Sequence, residues 1–327
     1  MIDIVLCTDD NYSVGCGVCV CSVLKHTPAE KCRFHILTKG LSNDNIRRFK
    51  QIEERSGATV EIVKIDDFHF DGLRVSDRFP VSIYYRYLAP YILSCDKSLY
   101  LDCDIVVCDD IEELWNVDLE GYALAAIEDQ EFYNPQATEQ RIGPFDYPYI
   151  NSGVLLINHR YWREHDTLKA LTLSLKDHET FKYPDQDALN FVLHSVTKTL
   201  PYKFNFQTCW FFPTYHRLIT PEKSAEIRDA RKSIAVVHFC GCTPWKWKAF
   251  CHTNNPKFPY FFKTLAHSPW RDYCVARHSK FFSDILGVLS IPLWAIDYVF
   301  NVNWAYRPLG VAMSIKAKLR YLLKKRI

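Results

Sequence analysis

The opening 64 residues alternate twice between short apolar runs and longer helical stretches, and this alternation constrains the fold more than any other feature. Residues 4–7 read as a buried strand, Thr8 to Tyr12 as a polar break, and residues 14–24 as a helix rich in small side chains. Residues 33–37 form a second strand. Ser42 supplies an N-cap for a helix running to about residue 55, and the β-branched residues 58–64 form a third strand. Parallel neighbours need a crossover, so this order predicts an α/β fold on a mainly parallel sheet.

Further along, a helix is expected over 81–93 with Arg86 near its middle. Strands are expected over 98–101, 121–127, 154–158 and 234–239, with an apolar continuation at 105–107. Helices are expected over 168–175 and, after Pro184, over 185–193. No internal repeat or linker appears before about residue 260. Past Pro259 the periodicity weakens and aromatic clusters appear, so residues 1–258 read as one domain and 259–327 as a helical, aromatic and basic region.

Charge and cysteine usage narrow the function classes. A net charge of +2 argues against a nucleic-acid binder. The 13 cysteines are odd in number and lie in or beside apolar runs, which suits small buried side chains in a reducing, cytoplasmic compartment rather than a disulfide framework. The start, Met1-Ile2-Asp3-Ile4, lacks the basic residues and long apolar core of a secretory signal, and no run of 18 apolar residues exists.

Chemistry concentrates at Asp102-Cys103-Asp104, just past an apolar strand and before Ile105-Val106-Val107. Ligands of open α/β sheets bind at the carboxyl ends of strands. Residues i and i+2 share a side of an extended chain, so the two carboxylates can converge on a hard divalent cation. Turn residues merely capping a strand are the alternative. His238, near the end of another strand, is the natural third ligand, and Gly241 with Lys246 or Lys248 suits a phosphate nearby.

With these residues placed, the chain resembles glycosyltransferase family 8, the retaining, UDP-sugar-dependent group that includes bacterial lipooligosaccharide α-galactosyltransferases. Six blocks carry the resemblance in chain order within residues 1–250: Ile4 to Tyr12, Ser82 to Arg86, Tyr100 to Asp104, Tyr149 to Asn158, Pro184 to Asn190, and Val237 to Gly241. The resemblance implies a GT-A-like nucleotide-diphospho-sugar transferase fold on a mixed, mainly parallel sheet. It implies manganese, with magnesium as the alternative, held by Asp102, Asp104 and His238. It places Thr8, Asp9, Asn11 and Tyr12 at the nucleotide, with Asp9 and Asn11 on the uridine. Arg86, Cys103, Asn151, Gly241 and Lys246 fall on the donor, Asp185 and Gln186 at the reacting sugar, and Asp129 toward the acceptor. Asn190 offers further polar atoms to the sugar. The family's lysine after the late glycine is replaced here by Thr243, one residue is missing before Pro244, and Lys246 is the candidate substitute.

The expected reaction moves a hexose, galactose or glucose, from a UDP-sugar to a carbohydrate or lipid-linked saccharide in surface-glycan synthesis. Gln186 is neutral and a poor nucleophile, which favours same-face attack by the acceptor, with Asp185 as the fallback nucleophile. From Ala305 onward seven basic residues and no acidic ones accompany Ile315, Leu319 and Leu322 at helical spacing. Such a tail can lie on an anionic membrane, at the inner face of the cell membrane, or pack on the domain. Three rivals remain. A nicotinamide dehydrogenase would use Gly15-Cys16-Gly17, but these lie inside a predicted helix. A structural metal site would use Cys16, Cys19 and Cys21, or His238, Cys240, Cys242 and His252, without a CxxC knuckle. A non-catalytic carbohydrate- or nucleotide-sugar-binding protein on a degenerate transferase fold is the third.

Overall fold

A computed structural model describes residues 1–76, 79–130, 135–143, 147–212, 215–241, 243–245 and 255–273. In chain order its strands are β1 (Ile2–Cys7), β2 (Cys32–Thr38), β3 (Thr59–Lys64), β4 (Lys97–Leu101), β5 (Ile105–Val107), β6 (Leu124–Glu128), β7 (Ile150–Asn158), β8 (Thr197–Thr199), β9 (Phe206–Gln207) and β10 (Val236–His238). Seven form one mixed sheet in the order β3-β2-β1-β4-β7-β6-β8, and β5-β10-β9 form a second. The first four neighbours are parallel, as the opening alternation requires, while β7 runs antiparallel to both β4 and β6. Side chains alternate across β1, so Ile4 and Leu6 join one apolar cluster and Val5 and Cys7 join the other. Both faces of the sheet are thereby covered.

The helix Ser13–Leu24 is buried along almost its whole length, and its glycines explain why. A Cβ on Gly15 would lie 2.2 Å from the Trp245 ring, and one on Gly17 would lie 2.1 Å from the Trp270 ring. These glycines admit indoles, and no dinucleotide turn is formed. The next helix, Asn43–Ser56, starts where expected: Ser42 Oγ accepts from the Asn45 N–H, and Gly57 at φ 75° ends it. Near the described C-terminal end, Phe258, Phe261, Leu265 and Trp270 enter the same core as the first helix. Arg48 donates to Asp272 Oδ2 at 2.8 Å and to the Pro269 carbonyl at 2.6 Å, fastening that end down.

Three expectations shift. The helix over 81–93 is instead a 3-10 run, Val81–Tyr87, followed by the short helix Ala89–Ile92. Pro90 has no N–H to offer the carbonyl four residues back, which breaks the run there and suits the first turn of the short helix. β6 starts at Leu124 rather than at Gly121, which turns the chain at φ 76°. β7 starts at Ile150 rather than at Val154 and takes Asn151, Ser152 and Gly153 into the sheet. The tail helix and its basic residues lie outside the described residues, as do Lys246, Lys248, Cys242 and His252.

Candidate active site

The two sheets meet where the chain leaves β4 for β5, and Asp102-Cys103-Asp104 is that junction. β10 pairs antiparallel with β5 so that His238 stands opposite Ile105, immediately beyond Asp104. The Phe239 N–H donates to the Asp104 carbonyl at 2.9 Å, and the Asp102 N–H donates to the Gly153 carbonyl at the same distance. Ligand atoms of Asp102, Asp104 and His238 thus lie within 4.8 Å of one another. His238 Nε2 is 3.1 Å from Asp104 Oδ1 and 3.8 Å from Asp102 Oδ2. Gly153 is what lets them approach, since a Cβ there would lie 2.2 Å from His238 Cε1 and 2.9 Å from Asp102 Oδ2. Burial works against charge on the His238 ring, but Cys240 and Asp104 outweigh it and hold the imidazole well above its ordinary range.

Beside this cluster, a cleft of about 710 Å³ is lined by Thr8, Tyr12, Arg86, Asp129, Asn151, Asp185 and Gln186 among others. Arg86 is buried under it. Its Nη1 donates to the Ser152 carbonyl at 2.6 Å, and its Nη2 lies 3.2 Å from Asp102 Oδ1 and 3.4 Å from Asp185 Oδ2. Its guanidinium carbon sits 4.1 Å from the Tyr100 ring centroid, and the Tyr100 hydroxyl donates to Asp102 Oδ1 at 2.6 Å. Burial opposes the Arg86 charge, but Tyr100, Asp102 and Asp185 more than offset it. Burial raises the Asp185 carboxyl above its usual range, Arg86 counteracts this, and Asp102 adds to the rise. Among the described lining residues, Arg86 is the one lysine or arginine set against the carboxylates of Asp102, Asp104, Asp129 and Asp185.

The far wall is an amide network. Asp185 and Gln186 open the helix Pro184–Leu193, whose N-terminal turn points at the cleft. Gln186 Oε1 accepts from the Ser152 N–H at 3.0 Å and from Asn151 Nδ2 at 3.2 Å, while its Nε2 donates to the Tyr149 hydroxyl at 3.1 Å and to Asp129 Oδ2 at 3.2 Å. Asn151 Nδ2 also donates to Asp129 Oδ2 at 2.8 Å, and Ser152 Oγ donates to Asp185 Oδ2 at 3.1 Å.

Of the expected site residues, Thr8, Tyr12, Arg86, Asp102, Cys103, Asp104, Asp129, Asn151, Asp185, Gln186, His238 and Gly241 line this one cleft, and Thr243 lines it too. Asp9 and Asn11 do not: Asp9 Oδ1 accepts from the Tyr12 N–H at 3.0 Å, and Asn11 is exposed. Asn190 is spent on the backbone of β7, accepting from the Ile150 N–H at 2.7 Å and donating to the Ile150 carbonyl at 2.9 Å. Residues without an expected role are Tyr100, Tyr149, Gly153 and Asn205. Tyr100, Tyr149 and Gly153 stood inside quoted motifs; Asn205 belonged to none.

A mixed sheet of this order, with a carboxylate pair just past β4 and a histidine brought to it by a second sheet, defines a GT-A nucleotide-diphospho-sugar transferase. The chain belongs to glycosyl transferase family 8, whose model matches residues 3–249. It is similar to a lipopolysaccharide 1,2-glucosyltransferase of Escherichia coli, 30% identical over 274 residues that cover 81% of this chain and 78% of the relative. It is also similar to General stress protein A of Bacillus subtilis (strain 168), 27% identical across 83% of this chain and 95% of that protein. Among solved structures, the galactosyltransferase LgtC in complex with donor and acceptor sugar analogs superimposes with a TM-score of 0.70 at 30% identity, covering 84% of this chain and 100% of that one.

Proposed function

We propose that this glycosyltransferase is a retaining, manganese-dependent enzyme that moves a hexose from a UDP-sugar onto a carbohydrate or lipid-linked saccharide acceptor. One observation carries the reading: Asp102, Asp104 and His238 converge on one point at the edge of a cleft whose other wall is Asn151, Asp185 and Gln186. Two carboxylates suit a hard divalent ion, and the imidazole favours manganese over magnesium. Bound there, the ion would supply positive charge to the diphosphate leaving group. Galactose is favoured and glucose is the alternative, by likeness to LgtC and to the lipopolysaccharide glucosyltransferase, and a lipopolysaccharide-type acceptor follows from the same relatives.

The residues themselves support same-face transfer. The bond from the sugar's anomeric carbon to the diphosphate oxygen breaks, the acceptor oxygen bonds to that carbon from the same side, and its proton passes to the departing diphosphate. Gln186 is neutral, with its amide committed at both ends, so it orients rather than attacks. Asp185, held by Ser152 and Arg86, grips sugar hydroxyls and is the fallback nucleophile. A trapped glycosyl adduct on Asp185 would replace this route with a two-step one. UDP release from a panel of UDP-sugars, with and without manganese, tests the whole reading. Release that requires manganese and a galactose or glucose donor supports it; UDP-sugar binding without turnover of any donor would favour the non-catalytic alternative that Thr243 raises.

In this reading residues 1–258 are the catalytic domain, Phe261, Leu265 and Trp270 of the following region pack into its core, and the basic residues of 305–327 meet an anionic membrane surface at the cytoplasmic face. Among the described residues no helix is long and apolar enough to cross a membrane. Salt-sensitive pelleting with anionic vesicles tests the attachment.

A further inference from the structure

Asn205 is fully buried where the cation side of the cleft meets the sugar side. Backbone groups settle which way its amide points. The Gly153 N–H donates at 2.9 Å to Asn151 Oδ1, which marks that atom as the oxygen. Asn205 approaches the same oxygen at 2.8 Å and must therefore present its Nδ2. Its Oδ1 is then the atom 3.0 Å from His238 Nδ1, so that nitrogen carries a hydrogen. Nε2 is left as the nitrogen turned toward Asp102 and Asp104. The Ser152 N–H marks Gln186 Oε1 in the same manner, which leaves Asn151 Nδ2 to serve Gln186 and Asp129 together. A chain of defined donors and acceptors thus runs from two backbone N–H groups of β7 to the imidazole.

We propose that Asn205 is a positioning residue that locks His238 with its hydrogen on Nδ1, and couples this cation ligand to Asn151, Gln186 and Asp129. The inference rests on reading His238 as a ligand. An amide meets both demands at once, with one atom for each partner. A carboxylate would accept from His238 but offer Asn151 nothing, and an aliphatic side chain would release the ring to either tautomer. A partner on the second nitrogen of a ligating histidine fixes both its orientation and its tautomer.

The experiment uses the full chain and the metal ion alone. Mn2+ binding is followed by electron paramagnetic resonance, the His238 tautomer by 15N-imidazole NMR of the protein loaded with diamagnetic Mg2+, and turnover separately. His238→Ala should abolish binding. If it binds Mn2+ as the unsubstituted chain does, the ligand reading falls and this inference falls with it. Asn205→Ala should weaken Mn2+ binding by about 10- to 100-fold and give a mixture of His238 tautomers. Asn205→Asp keeps the acceptor, so Mn2+ affinity should stay within about threefold while kcat falls, because Asn151 loses its donor. A folded Asn205→Ala variant with unchanged affinity and unchanged tautomer would overturn the proposal, even with His238→Ala inactive. Should Asn205→Ala not fold, Asn205→Asp decides: retained affinity with lost kcat supports the coupling, and lost affinity overturns it.

Discussion

Two clusters, each made of two carboxylates and a histidine, sit at different places in the fold: one just past β4, where the second sheet brings in His238, and one across β1, β2 and β3. Asp102, Asp104 and His238 converge in the first; Asp3, His35 and Glu61 meet in the second. Their compositions match, and their wiring does not. His35 stands between its acids, with Nε2 2.9 Å from Asp3 and Nδ1 3.1 Å from Glu61, and Arg33 lies 3.5 Å from Asp3. The two acids face opposite nitrogens of the ring, so no common point is left for a ligand. His238 turns one nitrogen toward both acids and gives the other to a neutral amide. A divalent site thus depends on convergence of lone pairs, which residue type alone does not provide.

The contrast can be broken most sharply at the first cluster. Replacing Asp104 or His238 by Ala should lower kcat by about a thousandfold or more while the thermal midpoint changes little, as measured by UDP release and calorimetry. A third buried histidine sharpens the comparison, because His159 has no carboxylate. Its Nδ1 donates to the Cys95 carbonyl at 2.9 Å, and its Nε2 accepts from Ser98 Oγ at 2.7 Å. Burial lowers its pKa to about 4. The unfolded chain takes up that proton near pH 6.5 and the folded one resists until about 4, so stability is present above 6.5 and falls as the pH drops through that window. Between pH 7 and 4 the unsubstituted chain should lose about 3 kcal/mol more than His159→Gln in urea unfolding.

Smaller effects separate the clusters again. Gly153→Ala pushes a methyl group into His238 and should cost about a hundredfold in kcat together with weaker Mn2+ binding. His35→Ala leaves Asp3 buried with only Arg33 nearby and should cost about 2 kcal/mol of stability, with kcat unchanged. Reduced Mn2+ binding in His35→Ala would erase the distinction between the clusters.

Much of this was legible in the sequence because apolar strands end abruptly in polar residues. Asp102, Asp104 and His238 each follow such a run, and Asp185 and Gln186 follow the Pro184 that starts their helix. Asn205 was not legible. It lies between a 3-10 turn, Tyr202–Phe204, and the two-residue β9, where no periodicity exists to be read. Its importance arises only once β9 and β10 pair. Asn190 misled for the opposite reason: its motif promised a sugar contact, but its amide clamps β7. Asp10, in the polar break after β1, likewise accepts from Ser42 and Asn45 and ties the break to the second helix.

The central claim is that three side chains hold one cation beside a nucleotide. Crystals grown with MnCl2 and UDP, measured near the manganese absorption edge, test it directly. A single anomalous peak within about 2.5 Å of Asp102, Asp104 and His238, touching the diphosphate, is the predicted result. UDP seated in the cleft with no peak there, or with its peak at the Asp3 cluster, would contradict it.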